Sequence, residues 1–561
     1  MFARGDKQRK TRNHEVERSS MSTINVALAY PNAFQVGMSN LGYQFVYGYL
    51  NSLSGFSAER VFYSQSLGRR GPTSEETGRP LRDFHVVAFS IPFENDYPSV
   101  PAMLEAAGIP PLREHRTDND PLILAGGVSV SMNPEPLSSF LDLVFIGEMG
   151  ETEASDQFCA TLREVIGRPR TGSGSGDWAL QAFSTVPGTY VPAAYSFSYD
   201  DEGLIREVRV QDGFPKRVKA VKRRSREAPV PVSVLFTPEA EFADSLLVET
   251  NRGCGRGCRF CAGGWIHFPV RHAVFSGFRS SVEKALQEGR TVGLIGSDLA
   301  GHPQLEEILT FIVEQNGKFS LSSIRPEGLT PRIVALLART GQKTATLAPE
   351  AASPRMKRVI GKEIPSERFL ELVEQLVAAG IPNIRFYFMV GLPTETDEDA
   401  EEVARFVEQA RKIFVEASRS RGAIGRIGVQ VTPFVPKPWT PFQWAAMASQ
   451  KTLRQRVRII RERLKRMGNV VVRAESVRDA TGQGLLSRGD RNVWHAIVEV
   501  ARQQGRWAPV LRAHPRLLDR YVHRERDAGE IFPWEVTDHG LTRKVLERSY
   551  RRGMEASRNQ E

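Results

Sequence analysis

Apolar and polar positions alternate along this chain in two separate series, each made of short β-rich runs followed by amphipathic stretches. The first starts at Asn25 with NVALAYP, the helical SNLGYQFVYGYLNSL, then ERVFYS, VVAFSIPF, PLILAGG and DLVFIGE, and closes on the helical ETEASDQFCATLREVIG. Strands joined through helices predict a parallel sheet covered by helices, so residues 21–167 read as a Rossmann-like α/β domain with ligand-binding loops at the strand ends. The second series starts at Leu246 and holds six strand-plus-helix units, with strands SLLVET, TVGLIGS, KFSLSSI, TATLAPE, NIRFYFMVG and RIGVQVTPF. Six units suit a partial barrel or open curved sheet over residues 244–468, with reactive groups at the strands' C-terminal ends. In the sixth helix, KTLRQRVRIIRERLKRMG, Leu453, Val457, Ile460, Leu464 and Met467 recur at four- and three-residue spacing and mark one buried face.

Residues 168–243 break this rhythm and read as a linker with short strands: RTGSGSGDW, then GTYVPAAYSFSYDDEGLIREVRVQ, then a basic run from Lys216 to Arg226. Residues 469–561 read as a helical, polar extension. The first 20 residues carry charge without the apolar segment of a secretory signal and read as a disordered basic tail. At 561 residues the chain exceeds one ordinary core, so two or three domains are expected. It contains no run of about 18 apolar residues of the kind that spans a bilayer. With only four cysteines, a disulfide framework is disfavoured and a reducing, cytoplasmic setting without membrane contact is expected.

The formal net charge of +10 favours polyanionic partners in general, but its placement carries more information. Seven basic residues lie between Lys216 and Arg226, and eight against one acid between Lys451 and Arg466. The plain reading is a solvated segment and a solvated helix face; the sharper one is docking of RNA or a ribosome-associated protein.

Chemistry concentrates in ETNRGCGRGCRFCAGG, where Cys254, Cys258 and Cys261 are three of the four cysteines. The spacing C-x3-C-x2-C offers three thiolates, so an iron-sulfur cube held there keeps one iron open to another ligand. Gly253, Gly255 and Gly257 let the backbone wrap closely, and Phe260 would shield one side of the cluster or lie against a bound cofactor. The alternative is zinc, completed by His267 as C-x3-C-x2-C-x5-H. A structural zinc site would leave a nucleic-acid-binding protein rather than an enzyme. The loop directly follows the first strand of the six-unit series, where barrel chemistry belongs, which favours the cluster. The fourth cysteine, Cys159, lies in a helical pattern and reads as a buried small hydrophobe.

These residues resemble the radical S-adenosylmethionine (SAM) enzymes. The resemblance implies a 4Fe-4S cluster on the three cysteines, SAM chelated to the open iron, and one-electron cleavage to a 5′-deoxyadenosyl radical. It also implies an electron donor such as flavodoxin or ferredoxin. Ser297 and Asp298 in GLIGSD occupy the region that holds the methionine amino group, although the family's usual Gly-Gly-Glu is replaced. Glu350 in TLAPEAAS is similar to the segment that contacts the ribose, where a carboxylate accepts two hydrogen bonds. Arg325 in SSIRPEG offers a partner for a carboxylate, and FYFMVGLPTETDED resembles the family's Gly-Leu-Pro-x-Glu-Thr turn. There Gly391 is assigned to close approach of cofactor, and Thr394 to Asp397 to capping the next helix.

YPNAFQVGMSNLG, AGGVSVSMNPEPL, TLAPEAAS, FVPKPWTPFQW, LLSRGDR and FPWEVTDHG extend the likeness over almost the whole chain. They resemble a radical SAM family with an N-terminal cobalamin-binding-like domain and no settled substrate. The Asp-x-His-x-x-Gly motif that supplies an axial histidine is absent, which leaves two alternatives. Either cobalamin binds without a histidine ligand, its tail near Gly126 and Gly127, opening the way to methyl transfer, or the domain has lost the cofactor. Methylthiotransferases need three further cysteines for a second cluster, and this chain lacks them, so its chemistry is expected to run on one cluster.

Overall fold

The computed structural model describes residues 23–63, 71–167, 179–223, 229–321, 325–419 and 422–558. The tail, the RTGSGSGDW stretch, Arg224 and Arg226 of the basic run, and the end of the third core strand lie outside them. Among the described residues no helix is long and apolar enough to cross a membrane.

The N-terminal domain is a six-stranded sheet ordered β2-β1-β3-β4-β5-β6. Its strands are β1 (Ile24–Tyr30), β2 (Phe56–Phe62), β3 (Val86–Ser90), β4 (Leu122–Gly126), β5 (Leu143–Phe145) and β6 (Thr189–Tyr190). The first five run parallel, and β6 adds antiparallel to β5. The strands are buried on both faces, as their continuous apolar runs require. Helices Leu41–Ser52 and Glu153–Gly167 are joined by the Tyr49 hydroxyl, which donates to Asp156 at 2.7 Å. The stretch assigned to a linker supplies β6, a hairpin of β7 (Tyr195–Tyr199) and β8 (Ile205–Val210), and β9 (Val218–Lys219).

The central region has two four-stranded sheets. In one, β10 (Ser245–Arg252), β12 (Thr291–Gly296) and β13 (Phe319–Leu321) run parallel, with β11 (Arg271–His272) antiparallel at the edge. In the other, β14 (Thr344–Glu350), β15 (Asn383–Val390), β16 (Ile427–Pro433) and β17 (Val470–Ala474) are all parallel. Each of the six predicted units has its strand and its following helix, and the α/β class is as expected. The core sheet nevertheless continues past residue 468, because β17 pairs with β16. The C-terminal region is mainly helical and also forms β18 (Thr537–Asp538), which pairs with β9 of the linker.

Three buried carboxylates of the N-terminal domain tie these parts together. Glu94 takes Lys437 at 2.6 Å and Gln483 at 2.9 Å, Glu135 takes Arg491 at 2.8 Å, and Glu148 takes both terminal nitrogens of Arg271 at 2.8 and 2.7 Å. Burial opposes the charge of Glu94 and Glu148, yet their cationic and hydrogen-bond partners hold both below the usual carboxylate range. Removing one side of such a buried pair costs about 3–5 kcal/mol. The basic run joins this framework. Lys222 donates to the carbonyls of Phe268 and His539, and Arg217 to that of Glu535, so these cations are bound into the fold rather than offered to RNA.

Near the C-terminal end of β1, Asp96 accepts from Asn32 at 2.7 Å, yet burial pushes its pKa up to about 6 against that hydrogen bond. A folded pKa above the unfolded one makes the contribution of Asp96 to stability complete below about pH 4 and lost as pH rises through about 6. Asp96→Asn is expected to stabilise the protein at pH 7 by about 1–3 kcal/mol and to flatten the stability change between those pH values. Urea unfolding at pH 4.5 and 7 measures both.

Candidate active site

The cysteine loop leaves β10 at the C-terminal edge of the core sheet, where β10 carries a register shift between Glu249 and Asn251. Gly253 and Gly257 have φ of +84° and +70°, whereas Gly255 does not need a left-handed backbone. At Gly253 a side chain would also meet the His267 carbonyl at 2.5 Å, so the loop folds back on the segment that follows it. Cys254 and Cys261 are both carried to Gly264: the Cys254 Cβ and the Cys261 sulfur lie 4.0 and 3.9 Å from the point where a Gly264 side chain would begin. Burial raises the Cys254 and Cys261 thiols above their ordinary value, and each is raised further by the charge of Cys258, so the three sulfurs share one neighbourhood. Cys258 itself is buried, and Arg325 donates to its sulfur at 3.7 Å while pairing with Glu327 at 3.3 Å.

Arg259, between the second and third cysteines, clamps the loop. Its guanidinium donates to the carbonyls of Ser549, Arg358 and Val359 at 2.7, 2.7 and 3.0 Å, joining the loop to the C-terminal helix Arg543–Ala556 and to helix Pro354–Ile360. The Trp265 indole donates to the Cys258 carbonyl at 3.0 Å. Arg259→Ala removes three charge-assisted bonds that tie the loop to two helices and is expected to cost about 2–4 kcal/mol. A thermal melt checks this, and iron retention during gel filtration tests whether the loop has loosened.

Phe260 packs partly buried with Met356, Ile360, Leu392 and Phe442 beside the loop. Ser297 lines the large cavity described below, and Asp298 is 7% exposed, with its Oδ2 3.4 Å from Arg256 and its Oδ1 without a partner. Glu350 ends β14 at φ +67°, after a register shift that re-aims the strand end. Lys362 fixes it, with Nζ 3.1 Å from Glu350 and 2.6 Å from the Ala348 carbonyl. The charge of Glu350 reaches Cys261, which brings this carboxylate to the cysteine site.

Gly391 has φ +84°, and its side-chain position is filled by Leu453 and Ala448, so packing of helix Gln450–Leu464 by itself requires glycine there. Asp399 accepts from the Thr396 amide and hydroxyl at 2.9 and 3.2 Å, which secures the start of helix Asp397–Arg419. His267 is drawn toward Glu148, 3.6 Å from its Nδ1, and lines the interdomain cavity instead of completing a zinc set. The basic helix is also partly spent: Arg456 pairs with buried Glu395 at 2.6 Å, and Arg463 with Glu408 at 2.7 Å.

A cavity of about 340 Å³ lies between the core and the N-terminal domain, with Ser297 among its core-side walls. Its inner walls are strand residues Val26, Leu28, Val86 and Ala88, with Phe45 and Leu50 from one helix and Phe158, Cys159 and Leu162 from the other. Gly126, Gly127, Glu148, Arg252, Ser297 and His539 also line it, joining the strand ends of both domains. Burial pushes the Cys159 thiol up to about 11, so this cysteine is an inert wall as expected. Burial holds His539 down to about 4, a neutral imidazole whose Nε2 lies 2.9 Å from the Ser131 carbonyl. Sequence reasoning missed Arg259, Glu148 and His539.

A three-cysteine loop at the strand ends of a six-unit β/α core, facing a parallel-sheet domain across a shared cavity, defines an enzyme built around a metallocofactor. The chain belongs to the radical SAM superfamily: the model for radical SAM proteins, N-terminal, matches residues 42–192, and that for the radical SAM superfamily matches residues 248–407. It is therefore a radical SAM enzyme, of the class that uses a 4Fe-4S cluster with SAM and needs a reductant. An uncharacterised protein of Methanocaldococcus jannaschii is 26% identical over 511 residues, 90% of this chain and 97% of that protein. Ribosomal protein uS12 methylthiotransferase RimO of Thermotoga sp. is 26% identical over 29% of this chain and 41% of its own length. The solved radical SAM methyltransferase TsrM of Kitasatospora setae, with cobalamin and a [4Fe-4S] cluster bound, superposes with TM-score 0.50. It is 13% identical, over 86% of this chain and 99% of TsrM, a likeness of fold.

Proposed function

We propose that this protein is a cobalamin-dependent radical SAM methyltransferase, with one 4Fe-4S cluster on Cys254, Cys258 and Cys261. The observation that carries the reading is the single cavity that joins Ser297 beside the cysteine site to Gly126 and Gly127 at the end of β4. Its size falls in the usual range of ligand pockets, its walls are apolar where they lie between sheet and helices, and its polar groups gather where the two domains meet. That distribution suits the flat heterocycle of a corrinoid tail inside and its amide side chains outside. No axial histidine is needed in this reading.

When bound, the cluster with SAM supplies reductive cleavage of a sulfonium, and the corrinoid supplies a methyl carrier. Each protein group has a role that its surroundings support. The unpartnered Oδ1 of Asp298 is an acceptor for the ammonium of SAM, since a buried carboxylate oxygen without a partner is costly until it is filled. Glu350, locked by Lys362, is an acceptor for ribose hydroxyls. Arg325 donates to a cysteine thiolate and steadies its charge. Phe260 and its apolar neighbours keep water from one side of the loop.

The test is anaerobic purification from cells supplied with cobalamin, followed by iron analysis, the optical spectrum, and assay of SAM products under a strong reductant. Iron at cluster stoichiometry, a corrinoid absorption band and turnover of SAM to 5′-deoxyadenosine or S-adenosylhomocysteine are expected. A protein that takes up iron but binds no corrinoid at saturating concentration would refute the methyltransferase reading while leaving the class intact.

A further inference from the structure

We infer that the outer face of the C-terminal helix, together with the tip of the cysteine loop, is the docking surface for an acidic one-electron carrier protein. The inference rests on the cluster assignment above. Helix Arg543–Ala556 has two distinct faces. Leu546, Tyr550 and Met554 pack inward on the aromatic and apolar groups around the loop. Ser549 and Gly553, one turn apart, form the strip in which Arg259 lies; a side chain at Gly553 would stand 2.9 Å from the Arg259 Cδ.

On the outside, Lys544, Arg548, Arg551 and Arg552 are all exposed, at spacings of four, three and one, which gathers them along one stripe. The acids of this helix are Glu547, already paired with Arg551, and Glu555. Arg548 and Arg552 immediately precede the two residues of the Arg259 strip. Because Arg259 follows Cys258, the basic stripe is one side chain removed from the cysteine loop. Gly255, Arg256 and Gly257, the loop tip between the first two cysteines, are exposed, and Arg256 is paired with Asp298 at 3.4 Å.

An electron carrier must bring its redox group close, transfer, and leave, so its contact is small, charge-steered and salt-sensitive. A cationic stripe next to the cluster loop fits an acidic partner of this kind. In the transfer the carrier's reduced flavin loses one electron and the oxidised cluster gains it; no bond between the proteins forms or breaks. The other basic surface, helix Gln450–Leu464, has acids of its own fold against Arg456 and Arg463 and offers no comparable link to the cysteines.

The experiment uses the reconstituted holoenzyme and an acidic flavodoxin in its fully reduced form, under anaerobic conditions, measuring binding affinity and the rate of cluster bleaching. Arg548→Glu with Arg552→Glu should weaken binding and slow bleaching by about tenfold or more at low salt, and flatten the salt dependence. Arg548→Gln with Arg552→Gln should give a smaller loss. Reduction by titanium(III) citrate, which needs no docking, should proceed at the wild-type rate in both, and Lys451→Glu with Arg458→Glu should change neither quantity. Wild-type affinity and rate in the Arg548→Glu, Arg552→Glu protein, or losses confined to the Lys451→Glu, Arg458→Glu protein, would overturn the inference. A wild-type protein that titanium(III) citrate cannot bleach would instead strike at the cluster assignment beneath it.

Discussion

Cys258→Ala is expected to abolish cluster retention and, with it, all reductant-dependent cleavage of SAM. Of the three loop cysteines, Cys258 is the most buried, and it receives the Arg325 guanidinium at 3.7 Å. With two thiolates left, a cube loses its second fixed corner, and the remaining ligands cannot hold it against exchange with solvent thiols. The variant should still fold, because Arg259, Trp265 and the backbone amides that shape the loop do not use the Cys258 sulfur. Arg325 loses a thiolate but keeps Glu327, so the stability cost should stay near 1 kcal/mol. The measurement pairs iron content and 5′-deoxyadenosine formation with a thermal melt. Background iron and no product at a nearly unchanged melting temperature is the expected pattern. Wild-type iron content in the variant would mean that other residues hold the metal.

The parts of this protein that a sequence reader can find are those whose physics is local. Apolar runs such as VALAY and LILAG are strands because both faces are buried, and the six β/α units of the core are visible for the same reason. The cysteine loop is visible because three thiols and three glycines in one short stretch have few other uses. β17 escaped notice because VVVRA alternates half-buried and exposed residues and follows a strongly basic helix, so it looks like polar flank. Glu148 was invisible for a different reason. It is separated by more than a hundred residues from Arg252, His267 and Arg271, and only folding makes one hub of them. Arg259 lay in plain view within the cysteine motif, yet its partners belong to the far C-terminus. Gly391 is the mixed case: the turn glycine stands out in its motif, but its contact with Leu453 comes from a helix far along the chain.

Gly126→Leu should produce a folded protein that no longer retains a corrinoid, whereas Gly127→Ala should fail through the fold itself. The two glycines are adjacent at the end of β4 and both line the cavity, but their backbones differ. Gly126 lies within the strand, paired with Ser90, and a side chain there would meet only the Phe145 carbonyl, at 3.9 Å. Room for a leucine therefore exists, and the room it takes is the cavity's. Gly127 has φ +117° and its side-chain position falls inside contact distance of the Ile91 backbone. Even alanine there forces the turn to move, at a cost of roughly 3 kcal/mol or more. Corrinoid binding followed by absorbance or equilibrium dialysis, beside a denaturant melt, separates the outcomes. Gly126→Leu should melt within about 1 kcal/mol of wild type and lose corrinoid affinity by at least about a hundredfold, an effect of about 2.7 kcal/mol or more. Because its cysteine loop is untouched, it should still assemble its cluster. If that variant binds corrinoid as tightly as wild type, the cavity between sheet and helices is not where the cofactor's tail resides, and the methyl-transfer reading loses its structural support.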